Sequence, residues 1–388
     1  MSTLLLDLTH TSHTQARTGI QRVVRALQRE LGDAATSVTH DPYLGEWRTL
    51  EPWELANLAS PDAGASRGAQ WPWTARWRSR WRRLNTRPEE AALRGDYRGF
   101  LTAELFSPVV AANLPEYFPR VAVFHDAIAL KFPELSPPGT VARFPAYLQE
   151  LLRFDGIAAV SEDSRQSLLD YWRWLGVTNP PPVRTITNGV DLSPAPEAAP
   201  ATSGSGLPVV LSVGTLEGRK NHLALLEACE QLWAGGEKFE LRIVGSVQRQ
   251  TGRAAHAKLQ ALQLAGRPLR FDGPLGDAAL DASYAACTFT VYPSLAEGFG
   301  LPVIESLAHG RPCICSASGA LGELSRGGGC LALASVDRAS LAAAIAQLLA
   351  SPAELAALSA AARGRSFKSW SVTAAELAAW MQDLPRRA

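Results

Sequence analysis

The chain has 388 residues, 46% of them hydrophobic and 19% charged, with a formal net charge of +1. That length suits two domains, or three, each with a full apolar core. The near-neutral charge argues against a nucleic-acid or acidic partner, and no run approaches the roughly 20 apolar residues of a membrane span.

Short apolar runs alternate with segments of helical period. TLLLDL (3–8) reads as a buried strand, in an opening stretch, MSTLLLDLTHT, with neither the basic region nor the long apolar core of a signal peptide. The protein is therefore expected to be cytoplasmic. A loop leads into TGIQRVVRALQREL, where Ile20, Val23, Val24, Leu27 and Leu31 make one helical face. Next comes SRGAQWPWTARWRSRWRRLNTRP (66–88), with seven arginines and no acid; Trp73, Trp77, Trp81 and Leu84 fall on one face of a helix. A basic, Trp-lined helix suits an anionic membrane surface, so a peripheral site on the inner face of the cell membrane is expected. The alternative is a stripe packed on its own domain or in a subunit contact.

RVAVFHDAI is a strand ending at His125, GIAAVSEDS a strand running into a helix with Ser161 as N-cap, and VRTITNGVD a strand and turn. SPAPEAAPATSGSGLP breaks the pattern and predicts an interdomain linker over 193–207. The alternation then resumes with the strand PVVLSVGT, the helix KNHLALLEACEQLW, the strand FELRIVG, the helix GRAAHAKLQALQLAG and the strand CTFTVYPS. LPVIESLAHG is a short helix stopped by Gly310, RPCICSA a strand, and 366–383 an amphipathic helix. Such alternation predicts an α/β protein with parallel sheets. The domains expected are 1–192 and 208–365, doubly wound and facing each other across a cleft, with 366–388 a terminal helix crossing back to the first. Ligands of such sheets bind at the carboxyl ends of strands. The five cysteines (229, 287, 313, 315, 330) read as buried free thiols. The Cys313-x-Cys315 pair has no second Cys/His cluster beside it, so no metal site is expected.

The chemistry-bearing residues sit on the predicted loops. GTLEGRKNH (214–222) places Gly214, then Arg219 and Lys220 at a helix start, which makes an anion site for a diphosphate or merely a solvated pair. AEGFGLPVIES puts Glu297 in a loop and Glu305 in the helix beyond Pro302, with Gly298 and Gly300 allowing close backbone approach. Both carboxylates suit vicinal hydroxyls, or are a dipole-stabilised Glu and a surface Glu. His125 ends a strand, where active-site groups gather, or packs beneath the sheet. Gly19 lies on the first strand–helix loop.

In order, FHDAI…FPE, AAVSEDS, ITNGVD, SVGTLEGRKN and YPSLAEGFGLPVIESLAHGRP resemble the retaining, nucleotide-sugar-dependent glycosyltransferases of the GT-B fold, family 4. EGFGLPVIE matches that family's E-x7-E pattern, and TGIQRVVR looks like a subgroup of bacterial polysaccharide and O-antigen mannosyltransferases. The resemblance implies two Rossmann-like domains and a donor held without metal or cofactor. Arg219 and Lys220 would hold the donor diphosphate, Glu305 the ribose hydroxyls and Glu297 the sugar hydroxyls. Phe299, Gly300 and Leu301 would offer backbone amides. His125 would contact the transferred sugar, Gly19 lie near the phosphates and Asp126 orient the acceptor. The expected activity is hexose transfer, first from GDP-mannose with UDP- and dTDP-sugars open, to a saccharide acceptor, polyprenyl-linked or free. The rivals are a sugar-nucleotide epimerase and a non-catalytic sugar-nucleotide-binding protein.

Overall fold

Strand β1 (Thr3–Asp7) is buried along most of its length, because its run of leucines has no polar face to turn toward water. The computed structural model to which it belongs describes residues 3–15, 19–60, 70–85, 93, 96–116, 118–191 and 206–385. The chain divides into two compact units. The first is Met1–His125, Arg143–Gly189 and Trp370–Ala388; the second is Asp126–Ala142 and Val190–Ser369. This allocation moves Asp126–Ala142 out of the N-terminal segment and groups the terminal helix with the first unit. Almost all of the linker expected at 193–207 lies outside the described residues.

In the first unit β1 lies inside a seven-stranded sheet. The other strands of that sheet are β2 (Ala35–Asp41), β3 (Glu46–Thr49), β4 (Tyr97–Thr102), β5 (Arg120–Phe124), β6 (Gly156–Ala159) and β7 (Val183–Thr185). The order is β3-β2-β1-β4-β5-β6-β7. All pairs are parallel except β2 with β3, which run antiparallel with Val38 beside Thr49 and Asp41 beside Glu46. The expectation of a wholly parallel sheet is corrected at this edge. The connection 42–45 is too short for a crossover, so the strands can only form a hairpin. The helix Gly19–Leu31 buries Val23, Val24, Ala26, Leu27 and Leu31. Ser161 caps the helix Glu162–Trp174, its Oγ accepting from Ser164 N at 3.1 Å. The helix Trp370–Gln382 packs on Gly19–Leu31 and on β4. Beneath its end, a Cβ at Gly99 would meet Met381 Cε at 2.6 Å and one at Gly156 would meet Trp380 at 2.9 Å.

The second unit holds a wholly parallel sheet of β8 (Val209–Val213), β9 (Glu240–Val244), β10 (Leu269–Phe271), β11 (Phe289–Tyr292), β12 (Cys313–Ser316) and β13 (Cys330–Leu333). The order is β10-β9-β8-β11-β12-β13. Val210, Leu241, Ile243, Phe289, Val291 and Ile314 of these strands pack with helix residues such as Leu225, Leu226, Leu341 and Ile345. Cys229, Cys287, Cys313 and Cys315 are buried free thiols and Cys330 is half-buried. Burial pushes the Cys287 thiol up to about 12, so it packs as a small apolar group.

In each sheet the strand order reverses once, between β1 and β4 and between β8 and β11. Loops leaving the carboxyl ends of such a pair diverge and open a crevice, where ligands of doubly wound sheets bind. Among the described residues no single helix is long and apolar enough to cross a membrane.

Candidate functional site

The loops after β8 and β11 are 214–221 and 293–300. They leave neighbouring strands, with Val210 beside Phe289 and Leu211 beside Thr290. Leu295 N donates to the Arg219 carbonyl at 2.8 Å and ties the two loops together. The single turn Gly218–Lys220 sets Arg219 and Lys220 side by side.

One carboxylate bridges both cations. Arg219 Nη1 lies 2.7 Å from Glu297 Oε2, and Lys220 Nζ lies 2.6 Å from Glu297 Oε1. Arg219 also pairs with Glu217 through Nη2 at 2.9 Å. Lys220 Nζ donates to Tyr292 Oη and stands 4.6 Å from that ring's centroid. Burial alone would raise the Glu297 carboxyl, but Arg219 and Lys220 outweigh it and hold the group down at about 2. Burial likewise opposes the Arg219 charge, yet Glu297 and then Glu217 hold it above its ordinary value. For Lys220 burial wins: its ammonium sits below the usual value although Glu297 supports the charge. Burial and the Glu297 charge keep the Tyr292 phenol protonated. The cluster balances two cations against Glu217 and Glu297, and Lys220 is the cation held least firmly.

Backbone geometry fixes these positions. Asn221 closes the turn at φ 54°, a left-handed conformation asparagine tolerates, and its Nδ2 donates to the Val336 carbonyl at 2.7 Å. The next residue, His222, opens the helix His222–Ala234 and is buried, with neither ring nitrogen hydrogen-bonded among the described residues. Burial and then Lys220 lower it to about 3, so it is neutral. Gly300 is the N-cap of the helix Leu301–Ala308 at φ 107°, with Pro302 in the first turn. The helix ends on Gly310 at φ 66°. There Gly310 N donates to Leu307 O and Arg311 N to Ser306 O, both at 2.9 Å, the paired bonds that close a helix on a left-handed glycine.

The structure thus brings Arg219, Lys220 and Glu297 into direct contact. Gly298, Phe299 and Gly300 are buried in the same loop, Leu301 follows half-buried, and Gly214 begins the facing loop. Glu305 takes another partner: its Oε2 accepts from Tyr284 Oη at 2.9 Å. Asp126 accepts from Ile128 N at 2.9 Å, and its charge is among those acting on Arg219. Gly19 and His125 belong to the first unit. Gly19 opens its helix with nothing within 4 Å of where a Cβ would stand. His125 donates from Nε2 to the Ala103 carbonyl at 2.7 Å and is buried.

Sequence reasoning missed several residues. Tyr292 and Tyr284 buttress Lys220 and Glu305, and Asn221 shapes the turn. At the β1–β4 reversal, Asp7 and Glu104 form a buried carboxylate pair. Asp7 accepts from Thr9 N at 2.9 Å and Thr102 Oγ1 at 2.9 Å, and Glu104 accepts from His10 N and Thr11 N, both at 2.6 Å. Burial, reinforced by the Asp7 charge, pushes Glu104 up to about 8. The signal for this pair was present: each residue stands at or just beyond the carboxyl end of a strand flanking the reversal.

Residues 197–365 match the family described as "Glycosyl transferases group 1". The chain is 28% identical over 333 residues to the serotype-specific mannosyltransferase WbdA of Escherichia coli, covering 80% of this chain and 38% of that protein. It is 30% identical over 218 residues to the Escherichia coli O-antigen chain mannosyltransferase B, covering 52% and 54%. The chain thus spans well under two thirds of the length of these relatives. Among solved structures, sucrose-phosphate synthase from Thermosynechococcus elongatus aligns with a TM-score of 0.69 at 21% identity, covering 99% of each chain. Anabaena HepE in complex with UDP-glucose aligns with a TM-score of 0.70 at 16% identity, covering 99% of this chain and 100% of that one. The fold is GT-B, with two Rossmann-like domains. By its matched segment and these relatives, the chain is similar to the group 1 glycosyltransferases and, over most of its length, to an O-antigen mannosyltransferase.

Proposed function

We propose that this chain is a retaining glycosyltransferase that moves mannose from GDP-mannose to a saccharide acceptor, polyprenyl-linked or free, in bacterial surface polysaccharide synthesis. The observation that carries the reading is the Arg219–Lys220–Glu297 cluster at the β8–β11 reversal. The mannosyltransferase relatives support the choice of sugar and the surface-polysaccharide setting.

In this reading Glu297 is a resident counter-ion. A nucleoside diphosphate brings more negative charge than one carboxylate, so it displaces Glu297 from the two cations. The freed carboxylate then accepts hydrogen bonds from sugar hydroxyls, while Glu305, steadied by Tyr284, accepts from the ribose. The acceptor oxygen bonds to the anomeric carbon as the bond from that carbon to the phosphate oxygen breaks. The acceptor's proton passes to the departing phosphate. Arg219 and Lys220 stabilise the charge on that leaving group in a partly dry site, which is the main catalytic effect and requires no metal. Gly19, His125 and Asp126 keep the roles the resemblance assigns them.

Thermal unfolding with GDP, UDP and dTDP, followed by incubation with the matching labelled nucleotide sugars, tests this. A midpoint raised most by GDP, and mannose transferred to a saccharide with its anomeric configuration kept, is the expected result. An isomerised donor without transfer would mean an epimerase, and stabilisation without turnover of any donor a binding protein. A preference for UDP or dTDP would keep the transferase and overturn the donor.

A further inference from the structure

We propose that the helix Trp73–Asn85 is a docking surface for an anionic lipid membrane. The proposal stands on this helix alone and does not depend on the donor chemistry above.

The helix is held in one orientation. Ala75 and Ser79 form its buried face, and Ser79 Oγ donates to Asp41 Oδ2 at 2.6 Å. Arg78 donates through Nε to Glu51 Oε1 at 3.1 Å, and Arg82 Nη1 lies 3.6 Å from the same oxygen. Arg76 and Arg80 lie over the Tyr43 ring at 6.0 and 5.2 Å from its centroid. With the helix pinned this way, the apolar stripe faces outward. Trp73 is 72% exposed, Trp77 64%, Trp81 66% and Leu84 84%. The alternative that this stripe packs on its own domain is therefore excluded among the described residues.

Three outward tryptophans and a leucine on one ordered helix leave a contiguous apolar surface in water, which needs an occupant. The rim of the stripe names its chemistry. The helix carries Arg76, Arg78, Arg80, Arg82 and Arg83 and no acid. At 100° per residue, Arg76, Arg80 and Arg83 fall on one flank of the stripe and Arg78 and Arg82 on the other. Glu51 balances the second flank only, and no carboxylate among the described residues pairs with Arg76, Arg80 or Arg83. The occupant must be apolar at its centre and anionic at its edge. The boundary between acyl chains and anionic headgroups has that profile, and indole rings settle there. A second copy of the helix fits poorly, because it would press like-charged flanks together.

Co-sedimentation of the full chain with phosphatidylcholine vesicles, with and without about one third phosphatidylglycerol, tests the proposal. Binding to the anionic vesicles is expected to exceed binding to the neutral ones by about tenfold or more and to weaken as salt is raised. The triple variant Trp73→Ser, Trp77→Ser, Trp81→Ser should lose about tenfold or more, and Arg76→Gln, Arg80→Gln, Arg83→Gln most of the salt-sensitive part. Thermal unfolding of the tryptophan variant should match the parent, since the replaced side chains are largely in solvent. Equal binding to both vesicle types, or binding that survives the tryptophan replacements, overturns the proposal. So does self-association that those replacements abolish while the parent leaves vesicles untouched, or capture of an acidic protein by a chain that binds no vesicle.

Discussion

Glu297, on the loop after β11, holds two cations that stand side by side on the loop after β8. Its carboxyl lies at about 2 in the folded chain against an ordinary 4.5. A depressed carboxylate stabilises the fold fully above the unfolded value and loses that contribution as pH falls through the folded one. A shift of this size corresponds to about 3 kcal/mol, present at neutral pH and lost between about pH 4.5 and 2. Glu297→Gln leaves Arg219 with Glu217 and Lys220 with only a phenol. Chemical denaturation at pH 7 should show the variant about 3 kcal/mol less stable, with a shallower loss of stability on acidification than the parent. The loss is shallower rather than absent, because Glu54 is held at about 2 despite its burial, by His13 and Arg48. A nucleoside diphosphate should raise the variant's unfolding midpoint more than the parent's, since it neutralises cations left without Glu297. Identical acid slopes in the two proteins would rule out this role. Arg219, Lys220 and Glu297 were legible in the sequence because each lies in a short loop whose flanking glycines and strands announce it. Tyr292 was not, since its phenol meets Lys220 only through the pairing of β8 with β11. Asp7 and Glu104 each carry a sequence signal at a strand's carboxyl end, but that they form a pair depends on the alignment of β1 with β4.

At the scale of elements, the readable pieces are those with strong periodicity or bounded apolar runs. TLLLDL, PVVLSV and CTFTVY each become a strand within one or two residues of the run, and Ser161 and Gly310 mark helix ends as their chemistry requires. The pieces passed over have weak local signatures. β4 reads YRGFLT, with a glycine in its middle; β10 is three residues long; and β3 is a short hairpin edge whose direction is set by its connection. The helix Leu301–Ala308 shows how one backbone position sets an element. Gly300 caps it at φ 107°, and a Cβ there would stand 2.7 Å from Leu321 Cδ2 and 3.1 Å from Leu324 Cδ1. Gly300→Ala combines a left-handed backbone with a steric clash, so urea denaturation should show a loss of about 2–4 kcal/mol. Because the helix start also carries the loop of Glu297, nucleoside diphosphate binding should weaken with it. A variant as stable as the parent would mean that the helix begins elsewhere.

For the molecule as a whole, chain order and spatial order part company. The first unit opens at β1 but is completed by Trp370–Ala388, after the chain has built nearly all of the second unit. The helix Trp370–Gln382 buries Trp370, Thr373, Ala374, Leu377, Trp380 and Met381, and its last turn lies on the bare backbone of Gly99 and Gly156. Burying a large apolar side chain contributes about 1.5–3 kcal/mol, so Trp370, Leu377, Trp380 and Met381 together supply about 6–12 kcal/mol. A domain's entire stability is only about 5–15 kcal/mol. Removing residues 370–388 should therefore leave the first unit unfolded while the second, whose strands lie within Val190–Ser369, keeps its sheet. Hydrogen exchange on the truncated chain should show protection lost from β1, β4, β5 and β6 and retained in β8, β9, β11 and β12. If β1 and β4 stay protected, the terminal helix is an accessory and not a wall of the first core. The protected pattern would also set an order of assembly. A unit that waits for the helix Trp370–Gln382 cannot close before that helix has been made, so the second sheet forms first and the first sheet closes when the helix arrives.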